Sequence, residues 1–202
     1  MARAPSFCGV ILAAGESSRM GQDKALLPWR GGTFLSAAIA SLKPHTDLVI
    51  VVAGANAAVL EPLVDTAGAF MVVNHHPEQG QFSSLRLGLQ EVLNRGRDAA
   101  IVTLVDRPPA QSLTIEKLRS QFGESAAEGI WAVVPRVGER NGHPLVVGRE
   151  MITVFLSAPP YSNAREVEHA NQAHILYLNV DDPYVVMNVD TPEDYQRVAN
   201  AG

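Results

Sequence analysis

The sequence predicts an α/β fold in which helices cover both faces of a mostly parallel sheet, a three-layer α/β/α arrangement. Three observations support this class. Short aliphatic runs alternate with helical patterns along the chain. The runs "DLVIVVA" and "AAIVTLV" are apolar almost throughout, as in strands buried on both faces. The length of 202 residues suits one domain, so we expect residues 1–202 to fold as a single unit.

Each expected strand is a short run of aliphatic or β-branched residues, and each expected helix has apolar residues three or four positions apart. The predicted strands are Phe7–Leu12, Asp47–Ala53, Phe70–Val73, Ala99–Val105, Trp131–Pro135, Pro144–Val147 and His174–Leu178. The predicted helices are Thr33–Leu42, Ala57–Ala67, Ser83–Arg95, Leu113–Phe122 and Pro192–Ala201. The stretch from Arg136 to Val147 breaks the alternation, which indicates one antiparallel or irregular element.

Composition excludes several classes of function. A net charge of −5 argues against nucleic acid as the main partner, since affinity for its backbone comes from clustered cations. The single cysteine, Cys8, rules out a disulfide within the chain and is typical of a reducing compartment. No run approaches the roughly 20 apolar residues of a membrane helix. We therefore expect a cytoplasmic protein that binds neither nucleic acid nor a membrane.

Polar segments follow several of the predicted strands. They read "AAGESSRMGQDK", "NHHPEQGQFSSL" and "VDRPPA", and a fourth, "MNVDTPED", precedes the last predicted helix. In open α/β sheets, ligands bind outside the carboxyl ends of the strands. We therefore expect these four segments to converge on one site.

The first of these segments is rich in glycine and also basic. It is not a P-loop, because five residues separate Gly15 from Gly21 and Gln22 follows. Glycines nevertheless let backbone N–H groups turn toward an anion, and Arg19 and Lys24 add positive charge. A solvated surface loop is the alternative. Long loops between a strand and a helix are uncommon unless functional, which favours phosphate binding.

The same segment carries a resemblance to a known family. "LAAGESSRMGQDKALLP" resembles the signature loop of the nucleotidylyltransferases of molybdenum cofactor, the MobA-like NTP transferases. The segments "NHHPEQGQFSSLRLGL", "LVDRPPA", "NGHPLVVGRE" and "NVDTPEDY" resemble further family segments in the same order. The resemblance implies a Rossmann-like enzyme that transfers a nucleotidyl group from an NTP to the phosphate of molybdopterin and releases pyrophosphate.

The resemblance also implies roles for individual residues. Catalysis would depend on Arg19, Lys24 and Asp106, and Mg²⁺ would be held by Asp106 and Asp190. His143 would face the second substrate. The implied nucleotide-binding residues are Leu12, Ala13, Ala14, Gly15, Arg19, Lys24, Asn74, Gly80, Ser83 and Ser84.

Structural alternatives exist for several of these residues. Asp106 begins the sequence "DRPP", in which Asp and Pro residues favour a turn. Asp190 lies at a position where it could cap a helix. Ser83 or Ser84 could be an ordinary N-cap, and His143 a packed turn residue. The chain also departs from the family's usual pattern, with Val105 before the metal aspartate and Arg107 after it. Arg107 could assist a phosphate, or it could weaken the binding of Mg²⁺ and mark an altered substrate.

Substrate choice rests on fewer residues. Members that read "LAAG", as here at Leu12–Gly15, resemble the cytidylyl branch, which favours CTP. The expected acceptor is of molybdopterin type, and a molybdoenzyme is a possible partner. Two rival functions remain: a nucleotidylyltransferase for another phosphorylated acceptor such as a sugar phosphate, and a non-catalytic cofactor-binding partner of a molybdoenzyme.

Overall fold

The computed structural model describes residues 5–15, 20–159 and 161–200. Its strands are β1 (Phe7–Leu12), β2 (Pro28–Trp29), β3 (Gly32–Thr33), β4 (Leu48–Ala53), β5 (Phe70–Val73), β6 (Ala99–Leu104), β7 (Ala132–Val137), β8 (Arg140–Asn141), β9 (Leu145–Gly148) and β10 (Ile175–Asn179). Its α-helices are α1 (Phe34–Leu42), α2 (Ala57–Thr66), α3 (Gln81–Asn94), α4 (Ser112–Ser125), α5 (Arg149–Ser157), α6 (Ala164–Ala170) and α7 (Pro192–Asn200).

An eight-stranded sheet forms the middle layer, with the order β10-β7-β9-β6-β1-β4-β5 and β8 paired to β7. β1 lies parallel to β4 and to β6, and β4 lies parallel to β5. β9 runs antiparallel between β6 and β7, so β7 has the same direction as β6. This confirms the predicted class and places its antiparallel element where the sequence pattern breaks.

The sheet is covered on both faces because its strand residues alternate between two apolar clusters. On one face, Ile11 of β1 belongs to a cluster that contains buried side chains of α1, α2 and α4. On the other face, Val10 and Leu12 pack in a cluster with α3, α5 and Val167 of α6. Cys8 lies in this second cluster and is fully buried, and burial raises the pKa of its thiol to about 12.

A third, smaller apolar cluster lies beside the sheet. The β2–β3 hairpin contributes Trp29, which packs with Phe34 of α1 and Val198 of α7. The centroids of the Trp29 and Phe34 rings are 5.0 Å apart. This cluster fixes α7 and the segment that precedes it close to the end of the glycine-rich loop.

Two helices were not expected from the sequence. α5 begins directly after β9 with no intervening loop, and α6 is a short polar helix with one buried residue, Val167. Helix α3 begins at Gln81, two residues before the predicted start at Ser83. Within the described ranges, the helices are too short or too polar to cross a membrane.

Candidate active site

The carboxyl ends of the central parallel strands form one edge of the sheet, and the glycine-rich loop leaves from this edge. Ala13 extends β1 by donating its N–H to the Val52 carbonyl, over 2.8 Å. The loop then passes close to Gly54, where an added Cβ would lie 2.9 Å from the Ala14 carbonyl oxygen. A side chain at position 54 would therefore displace the start of the loop. The predicted ligand Arg19 lies outside the described residues.

Lys24 is positioned by a short 3-10 turn, Lys24–Leu26. Asp23 caps this turn by accepting a hydrogen bond from the Ala25 N–H, over 2.9 Å. The Asn56 amide donates to the Asp23 carboxylate over 2.7 Å and to the Ala13 carbonyl over 2.9 Å. Asn56 thus joins the beginning and the end of the loop, a role that the sequence analysis missed.

The ammonium group of Lys24 lies between two carboxylates. Its Nζ is 2.7 Å from Asp190 Oδ1 and 3.5 Å from Asp106 Oδ2. The backbone holds these aspartates together, because the Val189 N–H donates to the Asp106 carbonyl over 2.8 Å. Three residues predicted from distant parts of the chain therefore meet in one cluster.

The alternative interpretation of Asp190 as a helix cap is wrong. The Asp194 carboxylate accepts hydrogen bonds from the N–H groups of Asp190 and Thr191, over 3.2 and 3.0 Å. The Thr191 hydroxyl accepts one from the Asp194 N–H over 3.2 Å. Thr191 and Asp194 therefore cap α7, which leaves the Asp190 carboxylate directed to Lys24.

The residues of this cluster fit a divalent cation. Asp106 Oδ1 is buried and has no hydrogen-bond partner among the described residues, although a buried carboxylate oxygen normally has one. In the described part of the chain, no three His, Cys, Asp or Glu side chains group as a metal site. Mg²⁺ commonly takes one or two carboxylates and completes its shell with substrate phosphates and water. Asp106 and Asp190 match that donor set.

A cavity opens beside this cluster, with an empty volume of about 610 Å³ that includes the space at its mouth. Its lining contains seven residues that the sequence analysis singled out: Leu12, Ala14, Gly15, Lys24, Gly80, Ser84 and Asp106. It also contains Pro77, Gln81, Leu104 and Val105, which had not been proposed as ligands. Gln81 had a sequence signal, since it directly follows Gly80 within the polar segment "NHHPEQGQFSSL".

Of the described residues that were predicted to bind the nucleotide or the metal, four do not line this cavity: Ala13, Asn74, Ser83 and Asp190. Ala13 is buried in the core, and the Asp190 carboxylate is joined to the site by its ion pair with Lys24. Asn74 is buried and donates to the hydroxyls of Ser83 and Ser84, over 2.9 Å each. Asn74 therefore supports the cavity wall through Ser84, which lines it.

The N-terminus of α3 borders the cavity, which Gly80 and Gln81 line. No side chain of the described residues caps it, so the interpretation of Ser83 or Ser84 as an N-cap is wrong. Ser83 instead donates its hydroxyl to the Gly80 carbonyl over 2.8 Å. Gly80 has φ 90° and ψ 171°, a conformation essentially restricted to glycine. The first amide groups of a helix lack intrahelical acceptors and attract anions and polar ligand atoms.

Arg107, a departure from the family pattern, anchors a neighbouring segment. Its Nη1 donates to the Val185 carbonyl over 3.0 Å, and Arg140 donates to the Val186 carbonyl over 2.7 Å. Asp182 at the start of this segment is almost fully buried and accepts a hydrogen bond from the Gln111 N–H over 2.7 Å. Burial lowers the pKa of Arg107, while the charges of Asp106 and Asp190 act in the opposite direction. Arg107 therefore ties the end of β6 to the chain that leads into Asp190.

His143 does not lie in this first cavity but lines a second one next to it. Its backbone N–H donates to the Val185 carbonyl over 2.8 Å, and its Nδ1 is buried without a partner among the described residues. Burial, together with the nearby charge of Arg107, lowers the pKa of His143 to about 3. The imidazole is therefore neutral near pH 7.

This depressed pKa predicts a loss of stability in acid. The pKa of an unperturbed histidine is about 6.5, and the pKa of His143 in the folded protein is lower. Between these two pH values the unfolded chain binds more protons than the folded chain, so the free energy of unfolding falls as the pH falls. The limit is about 1.4 kcal/mol per pH unit, and we expect less because His143 as a whole residue is only half-buried. Denaturant unfolding at several pH values should show a shallower dependence in His143→Gln than in the wild type. An unchanged dependence would contradict a neutral buried His143.

Comparisons with known proteins agree with this geometry. Residues 9–175 match the family model of the MobA-like NTP transferase domain. A molybdenum cofactor guanylyltransferase of Xanthomonas euvesicatoria pv. vesicatoria is 29% identical over 95% of this chain and 94% of its own length. A molybdenum cofactor cytidylyltransferase of Escherichia coli is 26% identical over 92% of each chain. A nicotine blue oxidoreductase of Paenarthrobacter nicotinovorans is 33% identical over 71% of each chain.

Solved structures show the same architecture. A protein of Mycobacterium tuberculosis H37Rv, solved in complex with manganese, superimposes with a TM-score of 0.78 at 25% identity and covers 98% of this chain and 100% of its own. A nucleotidyl transferase of Methanothermobacter superimposes with a TM-score of 0.79 at 21% identity, over 97% of each chain. The fold and its site thus define a nucleotidyltransferase. The chain belongs to the family of MobA-like NTP transferases, as its sequence motifs predicted.

Proposed function

We propose that the chain transfers a cytidylyl group from CTP to the terminal phosphate of a molybdopterin-type acceptor and releases pyrophosphate. The observation that carries this proposal is the cluster of Lys24, Asp106 and Asp190 beside the cavity of the glycine-rich loop. A carrier that only bound the cofactor would not need a cation and two carboxylates at one point. The expected setting of this biosynthetic step is the cytoplasm, and a molybdoenzyme is a possible recipient of the product.

The proposed reaction forms one bond and breaks one bond. An oxygen of the acceptor phosphate attacks the α-phosphorus of CTP, and the bond from that phosphorus to the bridging oxygen of the β-phosphate breaks. The electron pair leaves with pyrophosphate. The attacking phosphate is already anionic near neutral pH, so no strong base is required. Alignment and charge neutralisation therefore supply most of the catalysis.

Named residues perform these tasks. The backbone of Ala14 and Gly15 and the open N-terminus of α3 hold the nucleotide in the cavity. Lys24 exchanges its carboxylate partners for the triphosphate, and Arg19 is proposed to contact the same group. Asp106 and Asp190, once released by Lys24, would hold Mg²⁺. Bound Mg²⁺ would neutralise phosphate charge and stabilise the departing pyrophosphate.

The proposed choice of CTP rests on the resemblance of the Ala13-Ala14 pair to the cytidylyl branch. Ala14 lines the nucleotide cavity, and its Cβ would lie 3.2 Å from a side chain added at Gly54, so the two segments are closely packed. We infer that a methyl group at this position, which lies close to Gly54, leaves less room for a purine base than a glycine would. The identities to guanylyl and cytidylyl relatives, 29% and 26%, are too similar to decide between the bases.

A nucleotide panel tests the proposed function. Pyrophosphate release should be measured with CTP, GTP, ATP and UTP, each with molybdopterin and with Mg²⁺ or Mn²⁺. We expect turnover with CTP to exceed turnover with GTP by at least about tenfold, the discrimination available from one small steric contact. Sugar 1-phosphates should be assayed in parallel as rival acceptors.

A matched variant isolates the contribution of Ala14. Ala14→Gly removes the methyl group from the cavity wall and should shift the ratio of kcat/KM toward GTP. Ala37→Gly, in the partly buried part of α1 away from the cavity, serves as a control and should leave the ratio unchanged. Turnover with none of the four nucleotides and molybdopterin would overturn the proposal.

A further inference from the structure

Residues 182–190 form the segment that brings Asp190 to Lys24 at the nucleotide cavity. The segment begins at the buried Asp182, continues as a 3-10 turn over Pro183–Val186 and ends at Asp190. Asp190 itself lies between this turn and α7, outside the strands and helices. The position of its carboxylate therefore depends on the contacts that hold the segment.

In the described part of the chain, three arginines from separate elements donate hydrogen bonds to three consecutive residues of this segment. The pairs are Arg30 with the Tyr184 hydroxyl over 3.1 Å, Arg107 with the Val185 carbonyl over 3.0 Å, and Arg140 with the Val186 carbonyl over 2.7 Å. The first contact is exposed, whereas the other two are partly buried. Hydrogen bonds from a charged donor are stronger than those from a neutral one, so these contacts restrain the segment.

Arg107 differs from the other two arginines because it adjoins a proposed metal ligand in the chain. Its backbone directly follows Asp106, and its guanidinium group reaches the segment that carries Asp190. The charges of both aspartates act on this guanidinium group. Arg107 therefore links the two carboxylates, one through its backbone and the other through its side chain.

Val185, which Arg107 contacts, is held tightly from several sides. Its side chain is fully buried, and its carbonyl also accepts a hydrogen bond from the His143 N–H over 2.8 Å. Gly142 lies so close to this carbonyl that an added Cβ would overlap it. Four residues later, Val189 donates its N–H to the Asp106 carbonyl over 2.8 Å. A displaced Val185 would therefore strain the contact that aligns the end of the segment with Asp106.

We propose that Arg107 is a positioning residue that holds Asp190 beside Asp106 for the divalent cation. This inference rests on the metal site of the proposed function. Groups that orient metal ligands from behind commonly account for about tenfold to a hundredfold of the metal affinity. Arg107 does not line the nucleotide cavity, so it acts through Asp190 and not on the nucleotide.

The charge of Arg107 and its hydrogen bond have opposite effects on metal binding. A guanidinium group close to the two carboxylates repels a divalent cation, so the loss of this charge alone would tighten metal binding. Loss of the hydrogen bond releases Val185 and with it Asp190, which would weaken metal binding. The direction of the change in affinity therefore distinguishes a positioning role from a purely electrostatic one.

The experiment measures Mn²⁺ binding to the full chain with a non-hydrolysable CTP analogue, from the electron paramagnetic resonance signal of the free ion. The analogue without protein is the blank. Arg107→Met nearly keeps the length of the side chain but removes its charge and its donors, and it should weaken Mn²⁺ binding by about tenfold or more. Gly142→Ala, which displaces Val185 while all three arginines remain, should also weaken it. An unchanged or lower Kd for Mn²⁺ in Arg107→Met would overturn the inference.

Arg119→Met is the matched control, because it removes the same charge from a half-buried arginine of α4 that packs on Phe7. It should bind Mn²⁺ like the wild type, and equal weakening there would contradict a specific role of Arg107. A second control adds Arg107→Met to Asp190→Asn. Little further loss is expected in this background, because both changes act on one ligand. A full additional loss would show that Arg107 does not act through Asp190.

The outcomes separate this inference from the proposed function. Mn²⁺ binding that is lost in Asp106→Asn but kept in Arg107→Met would overturn the inference and leave the proposed function standing. Weakened Mn²⁺ binding in Arg107→Met, with wild-type binding in Arg119→Met, supports the inference even if no nucleotide is turned over with molybdopterin. Equal Mn²⁺ binding in the wild type and Asp106→Asn would contradict both, because the metal would then lie elsewhere.

Discussion

Lys24→Ala should lower kcat/KM for nucleotidyl transfer by about a hundredfold to a thousandfold, the usual cost of removing one preorganised charge-stabilising group. Among the described residues that line the nucleotide cavity, Lys24 is the only lysine or arginine. Its Nζ lies 2.7 Å from Asp190 Oδ1. Without it, the triphosphate would meet two carboxylates whose charge is no longer offset by an ammonium group. Steady-state pyrophosphate release, with CTP and acceptor varied in turn, measures the effect.

Folding should change little in this variant. The Lys24 side chain is 15% exposed and its partner carboxylates are 26% and 40% exposed, so the ion pairs are partly screened by solvent. We expect Tm to shift by less than about 4 °C. Lys117→Ala, on an exposed position of α4, is the matched control and should keep wild-type kinetics. A Lys24→Ala enzyme with unchanged kcat/KM would show that the lysine does not act on the nucleotide.

Asp106→Asn should abolish the activation by a divalent cation together with about a thousandfold or more of the activity, because a metal ion supplies several kcal/mol of transition-state stabilisation. Asp106 lies two residues after the end of β6, and its buried Oδ1 has no partner among the described residues. The amide keeps the shape of the side chain but removes the charge that a hard cation requires. Titration of Mg²⁺ and Mn²⁺ into the assay, with Mn²⁺ binding measured separately in the presence of CTP, checks both parts.

The control for this variant is Asp65→Asn, an exposed position on α2 remote from the site. It removes the same charge from the chain and should leave metal activation and kcat unchanged. Asp106→Asn should also retain the wild-type Tm, since a neutral group is less costly to bury than a carboxylate. Full activation of Asp106→Asn by Mg²⁺ would place the metal elsewhere.

Much of the fold follows from local patterns in the sequence. β1 and β5 begin and end where their apolar runs predict, at Phe7–Leu12 and Phe70–Val73. The helix over Ala57–Thr66 and the one that begins after Thr33 also follow their apolar spacing. Helix α6 was missed because six of its seven residues are polar or small, and its one buried residue is recognisable only once the helix is docked.

The residues of the candidate site were harder to predict from local sequence patterns than the strands and helices. Asp106 and Asp190 were predicted as metal ligands from the resemblance of their motifs to those of the family. From the local sequence alone, Asp106 could have been a turn residue and Asp190 a helix cap. The supporting contacts join residues far apart in the chain, as in Asn56 to Asp23 and Arg107 to Val185, separated by 33 and 78 positions. No periodicity or spacing signals such pairs.

A crystal structure of the chain with Mn²⁺ and a non-hydrolysable CTP analogue tests the central claim most directly. We expect an anomalous peak for manganese within coordination distance of both Asp106 and Asp190, with the triphosphate against Lys24 and the base beside Ala14. Manganese bound away from these two carboxylates, or a triphosphate outside the cavity of the glycine-rich loop, would contradict the account.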